Sequence, residues 1–189
     1  MQCICAECHR FAPCLSALSW VQHLRANRLA LHTETVEFVI REYRAADFDR
    51  LWQIDQICFP PGIAYTQMDL TGFITRRRAI TVVAEYSGDM QFAGGIAGFA
   101  VAQPLRKIGR ILTLDIIPEA RRSGLATRLM QECEKRLRAG GCEQVYLETA
   151  LSNEPALHLY VKLGYQVLRT LPLYYPTHAL DAYLMGKGL

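Results

Sequence analysis

No apolar run in this chain approaches the ~20 residues that a spanning helix needs, so the sequence predicts no membrane partner. Charge of one sign is also scarce. The 21 Lys and Arg against 18 Asp and Glu leave +3, spread along the chain, which argues against nucleic acid as the main partner. There is no H-E-x-x-H and no G-x-S-x-G, so a zinc-protease helix and a hydrolase nucleophile elbow are both missing. Metal-ligand pairs are short as well. Cys3, Cys5, Cys8 and Cys14 crowd the first fourteen positions beside His9, and zinc is the sharp reading. A C-x-C-x2-C spacing with one further cysteine nevertheless lacks the second ligand pair of a ribbon or finger, and no metal is expected. A signal peptide is suggested by the apolar stretch Phe11 to Val21, but positive charge is sparse ahead of it and no small-residue cleavage site follows. Residues 1–35 therefore read as an extension, disordered or peripheral to the fold. Cys58, Cys133 and Cys142 fall inside or at the end of predicted elements and suit small hydrophobes in a reducing, cytoplasmic compartment.

The 189 residues can bury one good core, and the stretch Leu112 to Leu137 organises it. Leu112 to Ile117 is too short for a comfortable helix and rich in Leu, Ile and Thr, so it reads as a buried strand closed by Pro118. Leu125, Leu129, Cys133 and Leu137 then recur every fourth residue, the stripe of a helix that Gly140-Gly141 ends. Between them Arg121, Arg122, Ser123, Gly124, Leu125, Ala126 and Thr127 sit at a helix N-terminus. Unpaired backbone N–H groups and the positive dipole end favour an anion there. Gly124 and Ala126 are small enough to let a diphosphate approach.

Around this centre, strands are predicted at 36–43, 80–86, 95–103, 144–149, 165–170 and 182–185, with helices at 46–59, 67–77 and 153–163. Leu51, Ile54 and Cys58 form the first helix's apolar stripe, and Phe59-Pro60-Pro61-Gly62 breaks it. Ser87-Gly88-Asp89 reads as a hairpin connection. Gly94, Gly95 and Gly98 lie in a strand pattern with no helix after them, which indicates a bulge or a close backbone approach rather than a nucleotide loop. Arg76-Arg77-Arg78 reads as a solvated helix end, and 171–181 as a loop or strand edge. The predicted class is α/β or α+β: one mixed, mostly antiparallel sheet of six to seven strands with about four helices on both faces.

These residues resemble the GNAT superfamily of acetyl-coenzyme A dependent N-acetyltransferases over about residues 36 to 186, and 36–189 is expected to be the acetyltransferase domain. Arg121, Gly124 and Ala126 match the Q/R-x-x-G-x-G/A turn that wraps the pyrophosphate of coenzyme A in that family. The block from Leu147 to Tyr165 resembles the L-E-x-x-x-S-N-x-x-A-x-x-L-Y-x-K-x-G-F/Y block of the protein N-terminal acetyltransferases, the ribosomal-protein alanine type included. Cys58-Phe59-Pro60 and the pair Tyr174-Tyr175 resemble the same branch near its acceptor peptide.

The resemblance implies roles for individual residues. Amine attack on a thioester needs a neutral amine, a place for the developing oxyanion and a proton for the leaving thiolate. Ile116 would offer its backbone N–H to the oxyanion, with Ile117, the turn Arg121–Thr127 and Asn153 contacting the cosubstrate. Glu148 would act as general base through a water, and Tyr160 would protonate the sulfur. Phe59, Pro60, Tyr65, Tyr174 and Tyr175 would line the acceptor site. Taken singly, Tyr160 could be core packing, Glu148 an exposed strand residue, and Ser152 and Asn153 plain helix caps. The acceptor follows from magnitudes: an α-amine of pKa ~8 is about a tenth neutral at pH 7, against a few parts in ten thousand for lysine at ~10.4, a gap of ~3.3 kcal/mol. Expected partners are therefore acetyl-CoA and a protein or peptide N-terminus, for a monomer or weak dimer. A small-molecule amine transferase and a non-catalytic acyl-CoA-binding module are the alternatives.

Overall fold

The computed structural model describes residues 37–87 and 95–189. The cysteine-rich stretch 1–35, Gly94 and most of the expected hairpin turn, Gly88 and Asp89, lie outside the described residues. Seven strands form one sheet: β1 (Phe38–Glu42), β2 (Ile80–Tyr86), β3 (Ile96–Leu105), β4 (Ile108–Ile116), β5 (Gln144–Ala150), β6 (Gln166–Tyr175) and β7 (Leu180–Gly188). Among the described residues, four α-helices accompany them: α1 (Phe48–Cys58), α2 (Gln67–Ile74), α3 (Leu125–Ala139) and α4 (Glu154–Lys162). The strand order is β1-β2-β3-β4-β5-β7-β6. Every neighbouring pair is antiparallel except β4 with β5. That parallel step requires a crossover, and α3 supplies it.

Composition explains the layers. From Ile96 to Pro104 every residue of β3 is buried, as a strand covered on both faces must be. Leu125, Leu129, Cys133 and Leu137 are at most 1% exposed, so the four-residue stripe of α3 is its contact face. Each such leucine contributes about 2 kcal/mol of burial. The helix stops where Gly141 takes φ +87, a left-handed value that favours glycine after a C-terminus.

Register shows that α1 and α3 lie on opposite faces. The Cβ position of Gly109 abuts the Leu137 side chain, and Gly109 pairs with Pro104 of β3. Asp115 pairs instead with Phe99, from the alternate set of β3 residues, and interacts with Asp55 of α1. Several predicted boundaries change: the helix expected at 67–77 ends at Ile74, which leaves Arg76-Arg77-Arg78 beyond it, and the last strand runs from Leu180 to Gly188 because β5 and β6 both pair with it. β4 starts at Ile108, earlier than the apolar run beginning at Leu112, because Ile108 to Arg110 are recruited by pairing with β5. The 171–181 segment continues β6 to Tyr175, since β7 supplies partners across a slip between Leu171 and Tyr175.

Candidate active site

β4 and β5 pair only at Ile108–Arg110 with Gln144–Tyr146. Beyond that, β4 stays with β3 and β5 with β7, so a wedge opens in the middle of the sheet. The Ile117 N–H donates to the Ala97 carbonyl on β3 at 3.0 Å. By strand alternation the N–H of Ile116, one residue earlier, points the other way, into the wedge. Its carbonyl is already held by Arg121 Nε at 3.0 Å and Cys58 Sγ at 3.3 Å. Gly98 permits this arrangement, because a Cβ there would meet the Asp115 carbonyl at 2.5 Å. The expected close backbone approach at Gly98 is thus present.

At the wedge's end the chain passes through a 3-10 turn at Pro118–Ala120 into the turn before α3. Arg122 has φ 62 and Gly124 φ 82. Left-handed values so close together aim successive N–H groups to one side, as in an anion nest. The Ser123 hydroxyl pins the turn by donating to the Ala120 carbonyl at 2.7 Å. Gly124 provides no side-chain cap and the first turn of α3 holds no acid, so the N–H groups of Leu125, Ala126 and Thr127 have no helical acceptor. Nothing lies within 4 Å of a Cβ at Gly124. The open cradle beside Arg121 and Arg122 fits a diphosphate.

Glu148 projects from β5 on the side of Arg110, which the sequence reading did not single out. Arg110 reaches Glu148 Oε2 at 3.1 Å from Nε and 3.0 Å from a terminal nitrogen, and donates to the Tyr174 hydroxyl at 3.0 Å. Both contacts fall on Oε2, which leaves Oε1 for another partner. A bulge makes the contact possible. Thr113 pairs with Val101 but Ile111 with Ala102, so one extra residue in β4 turns Arg110 onto the face of Thr113 and Asp115. The only sequence signal for Arg110 was a charge next to an apolar strand.

Tyr160 is 8% exposed, and its hydroxyl has no hydrogen-bond partner among the described residues. Burial first, then Asp115 and Tyr175, push its phenol upward, so it keeps its proton across ordinary pH. Burial and Asp115 likewise push the Cys58 thiol up to about 11, which makes it a poor nucleophile. Asn153 caps α4, its Oδ1 accepting from the Ala156 N–H at 3.3 Å.

The residues expected around an acceptor also converge. Phe59 closes α1 by donating its N–H to the Asp55 carbonyl, and the Pro60 carbonyl anchors the turn through Ile63 and Ala64. The Tyr65 hydroxyl donates to the Leu112 carbonyl on β4 at 3.1 Å. Tyr174 and Tyr175 pack edge to face at 5.0 Å. His178 lies 2.8 Å from the Pro61 carbonyl, which joins this loop to the segment after Tyr175.

The acetyltransferase (GNAT) family pattern matches residues 48–165. The chain belongs to the GNAT acetyltransferase family. An N-alpha-acetyltransferase of Sulfurisphaera tokodaii is 30% identical over 160 residues, covering 81% of this chain and 94% of that relative. Among solved structures, Ard1 from Thermoplasma volcanium is 27% identical with a TM-score of 0.66, covering 82% of this chain and 99% of its own. Arabidopsis thaliana NAA60, solved with a bisubstrate analogue, superposes with a TM-score of 0.73 at 22% identity, covering 81% and 99%. As a GNAT acetyltransferase, the chain carries the wedge and the turn within the matched region, whereas Tyr174 and Tyr175 lie beyond it.

Proposed function

We propose that this enzyme transfers an acetyl group from acetyl-coenzyme A to the α-amine of protein N-termini by direct attack, without an acyl-enzyme. The observation that carries the proposal is the wedge itself. The Ile117 bond to Ala97 leaves the Ile116 N–H facing it, Glu148 projects from β5 at its edge, and Tyr65 bonds β4; Tyr160 and the Tyr174-Tyr175 pair would complete the site. Acetyl-coenzyme A, when bound, supplies the acyl group as a thioester.

The turn Arg121–Thr127 would hold the diphosphate on backbone N–H groups and arginine charge, with Ile117 and Asn153 beside the rest of the molecule. The Ile116 N–H receives the negative charge that develops on the carbonyl oxygen. As the amine nitrogen bonds to the acyl carbon and the carbon–sulfur bond breaks, Glu148 Oε1 takes the amine proton through a water, and Tyr160 gives its proton to the departing sulfur. Arg110 keeps Glu148 oriented by holding the other oxygen. Phe59, Pro60, Tyr65, Tyr174 and Tyr175 would position the peptide's first residues. A relative at 30% identity named an N-alpha-acetyltransferase supports the α-amine over a lysine, in line with the ~3.3 kcal/mol advantage of the more acidic ammonium.

The test is a panel of peptides differing at their first two residues, incubated with acetyl-coenzyme A and read by mass spectrometry. Acetylation at the α-amine is expected. Turnover of free small amines with none of any peptide would overturn the proposal.

A further inference from the structure

Two carboxyl groups lie beneath the acceptor loop, and the chemistry above uses neither. Asp55 of α1 and Asp115 of β4 are both 0% exposed. Asp55 Oδ2 accepts from the Tyr65 N–H at 2.8 Å and from Gln56 Nε2 at 2.9 Å. Asp115 Oδ1 accepts from the Thr113 hydroxyl. The other oxygens, Asp55 Oδ1 and Asp115 Oδ2, are buried without a hydrogen-bond partner among the described residues.

Among the described residues, no cation offsets them. The titratable groups around the pair are the Cys58 thiol at the end of α1, the Tyr65 phenol from the loop and the Tyr160 phenol from α4. Arg121 approaches only Cys58, at 3.8 Å, and the Ile116 carbonyl. Two carboxylates buried together with no counter-ion among the described residues cannot both ionise at modest pH. Burial, reinforced by Asp55, holds Asp115 well above the usual carboxylate range, and burial pushes Asp55 up to about 6.

The position of the pair matters. Asp55 grips the loop through the Tyr65 backbone, and the Tyr65 hydroxyl and Cys58 tie the same segment to carbonyls of β4. We propose that the buried pair Asp55 and Asp115 retains at least one proton, that this protonation seats the Phe59–Thr66 loop on β4, and that loss of the last proton in alkaline solution loosens the loop and weakens acceptor binding. Both are positioning residues, and the inference rests on the reading of that loop as acceptor-binding. The sign is fixed by the raised values: the seating is strongest in acid, weakens as pH rises through about 6, and is lost when the last proton leaves.

Two measurements test it. In the first, KM for peptide and for acetyl-coenzyme A is followed from about pH 6 to about pH 9.5 in wild type, Asp115→Asn and Asp55→Asn. The asparagines keep an acceptor oxygen but cannot ionise. With KM expressed on the concentration of neutral amine, a peptide KM rising about tenfold in wild type, the equivalent of one pH unit of proton affinity, is expected, with that for acetyl-coenzyme A nearly flat and both variants flat. A rise that persists in the variants, or no rise in wild type, overturns the proposal.

The second measurement needs no turnover. The two tryptophans are Trp20 and Trp52, and Trp52 Nε1 donates to the Tyr65 carbonyl at 3.3 Å. Trp52 fluorescence in a Trp20→Phe background should titrate in the alkaline range, and Asp115→Asn should abolish that transition. An unchanged transition in Asp115→Asn overturns the pair even if the peptide panel has succeeded, and its loss upholds the pair even if the panel has failed.

Discussion

Replacing Gly98 with alanine tests whether strand contact and catalysis are one construction. The added Cβ would stand 2.5 Å from the Asp115 carbonyl oxygen, 3.0 Å from Ile116 Cγ1 and 3.2 Å from Ile116 Cα, where ordinary contact begins at 3.4 Å. Two of the three atoms are backbone, so no rotamer change relieves the clash. β4 must withdraw by nearly 1 Å, stretching the bond from Ile117 N–H to Ala97. Overpacking of this kind costs about 1–3 kcal/mol, a large share of a typical stability of about 5–15 kcal/mol. The same retreat moves the Ile116 N–H, and a misplacement of ~1 Å costs on the order of 10²-fold in rate. Urea unfolding followed by circular dichroism, with initial rates at saturating substrates, would show both losses together. Gly72→Ala is the control, because nothing lies within 4 Å of its Cβ in the interior of α2. It should gain about 0.5–1 kcal/mol and leave turnover alone. If Gly98→Ala unfolds at the wild-type midpoint and turns over within about twofold of wild type, β3 does not hold Ile116 in place.

Other perturbations separate the remaining roles. Tyr160→Phe should lower kcat about 10²-fold while calorimetry finds coenzyme A affinity unchanged; equal kcat would remove the phenol from the proton path. Glu148→Gln should reduce kcat/KM by about 10²–10⁴-fold, and Arg110→Met by about tenfold, as the loss of an orienting contact rather than of the base. The Arg110–Glu148 pair, with side chains 39% and 15% exposed, should contribute no more than about 1 kcal/mol to stability. Gly124→Ala meets no neighbour but must adopt φ +82, so thermal unfolding should report a loss of about 1–2 kcal/mol. Coenzyme A affinity should fall further than that strain explains, because the new methyl group would crowd the cradle.

Sequence alone determined the local elements and the position of the turn proposed to hold the diphosphate. The stripe of α3, the cap at Asn153 and the breaks at Phe59-Pro60 and Gly140-Gly141 are written in residues within a turn or two of each other, where period and capping act. The order Arg121, Gly124, Ala126, then Glu148, Asn153 and Tyr160 sufficed to indicate the family for the same reason. What only the tertiary structure decided are the features that depend on partners far along the chain. Arg110 meets Glu148 across a separation of 38 residues, and only because a bulge in β4 turns it onto the face of Asp115. β6 runs on to Tyr175 because β7 pairs beside it. Asp115 sits in an apolar run that reads as an ordinary strand, and Asp55 on a helix that reads as ordinary amphipathic packing. Their encounter is set by the packing of α1 on β4, because burial and charge proximity are properties of the assembled sheet and have no local signature.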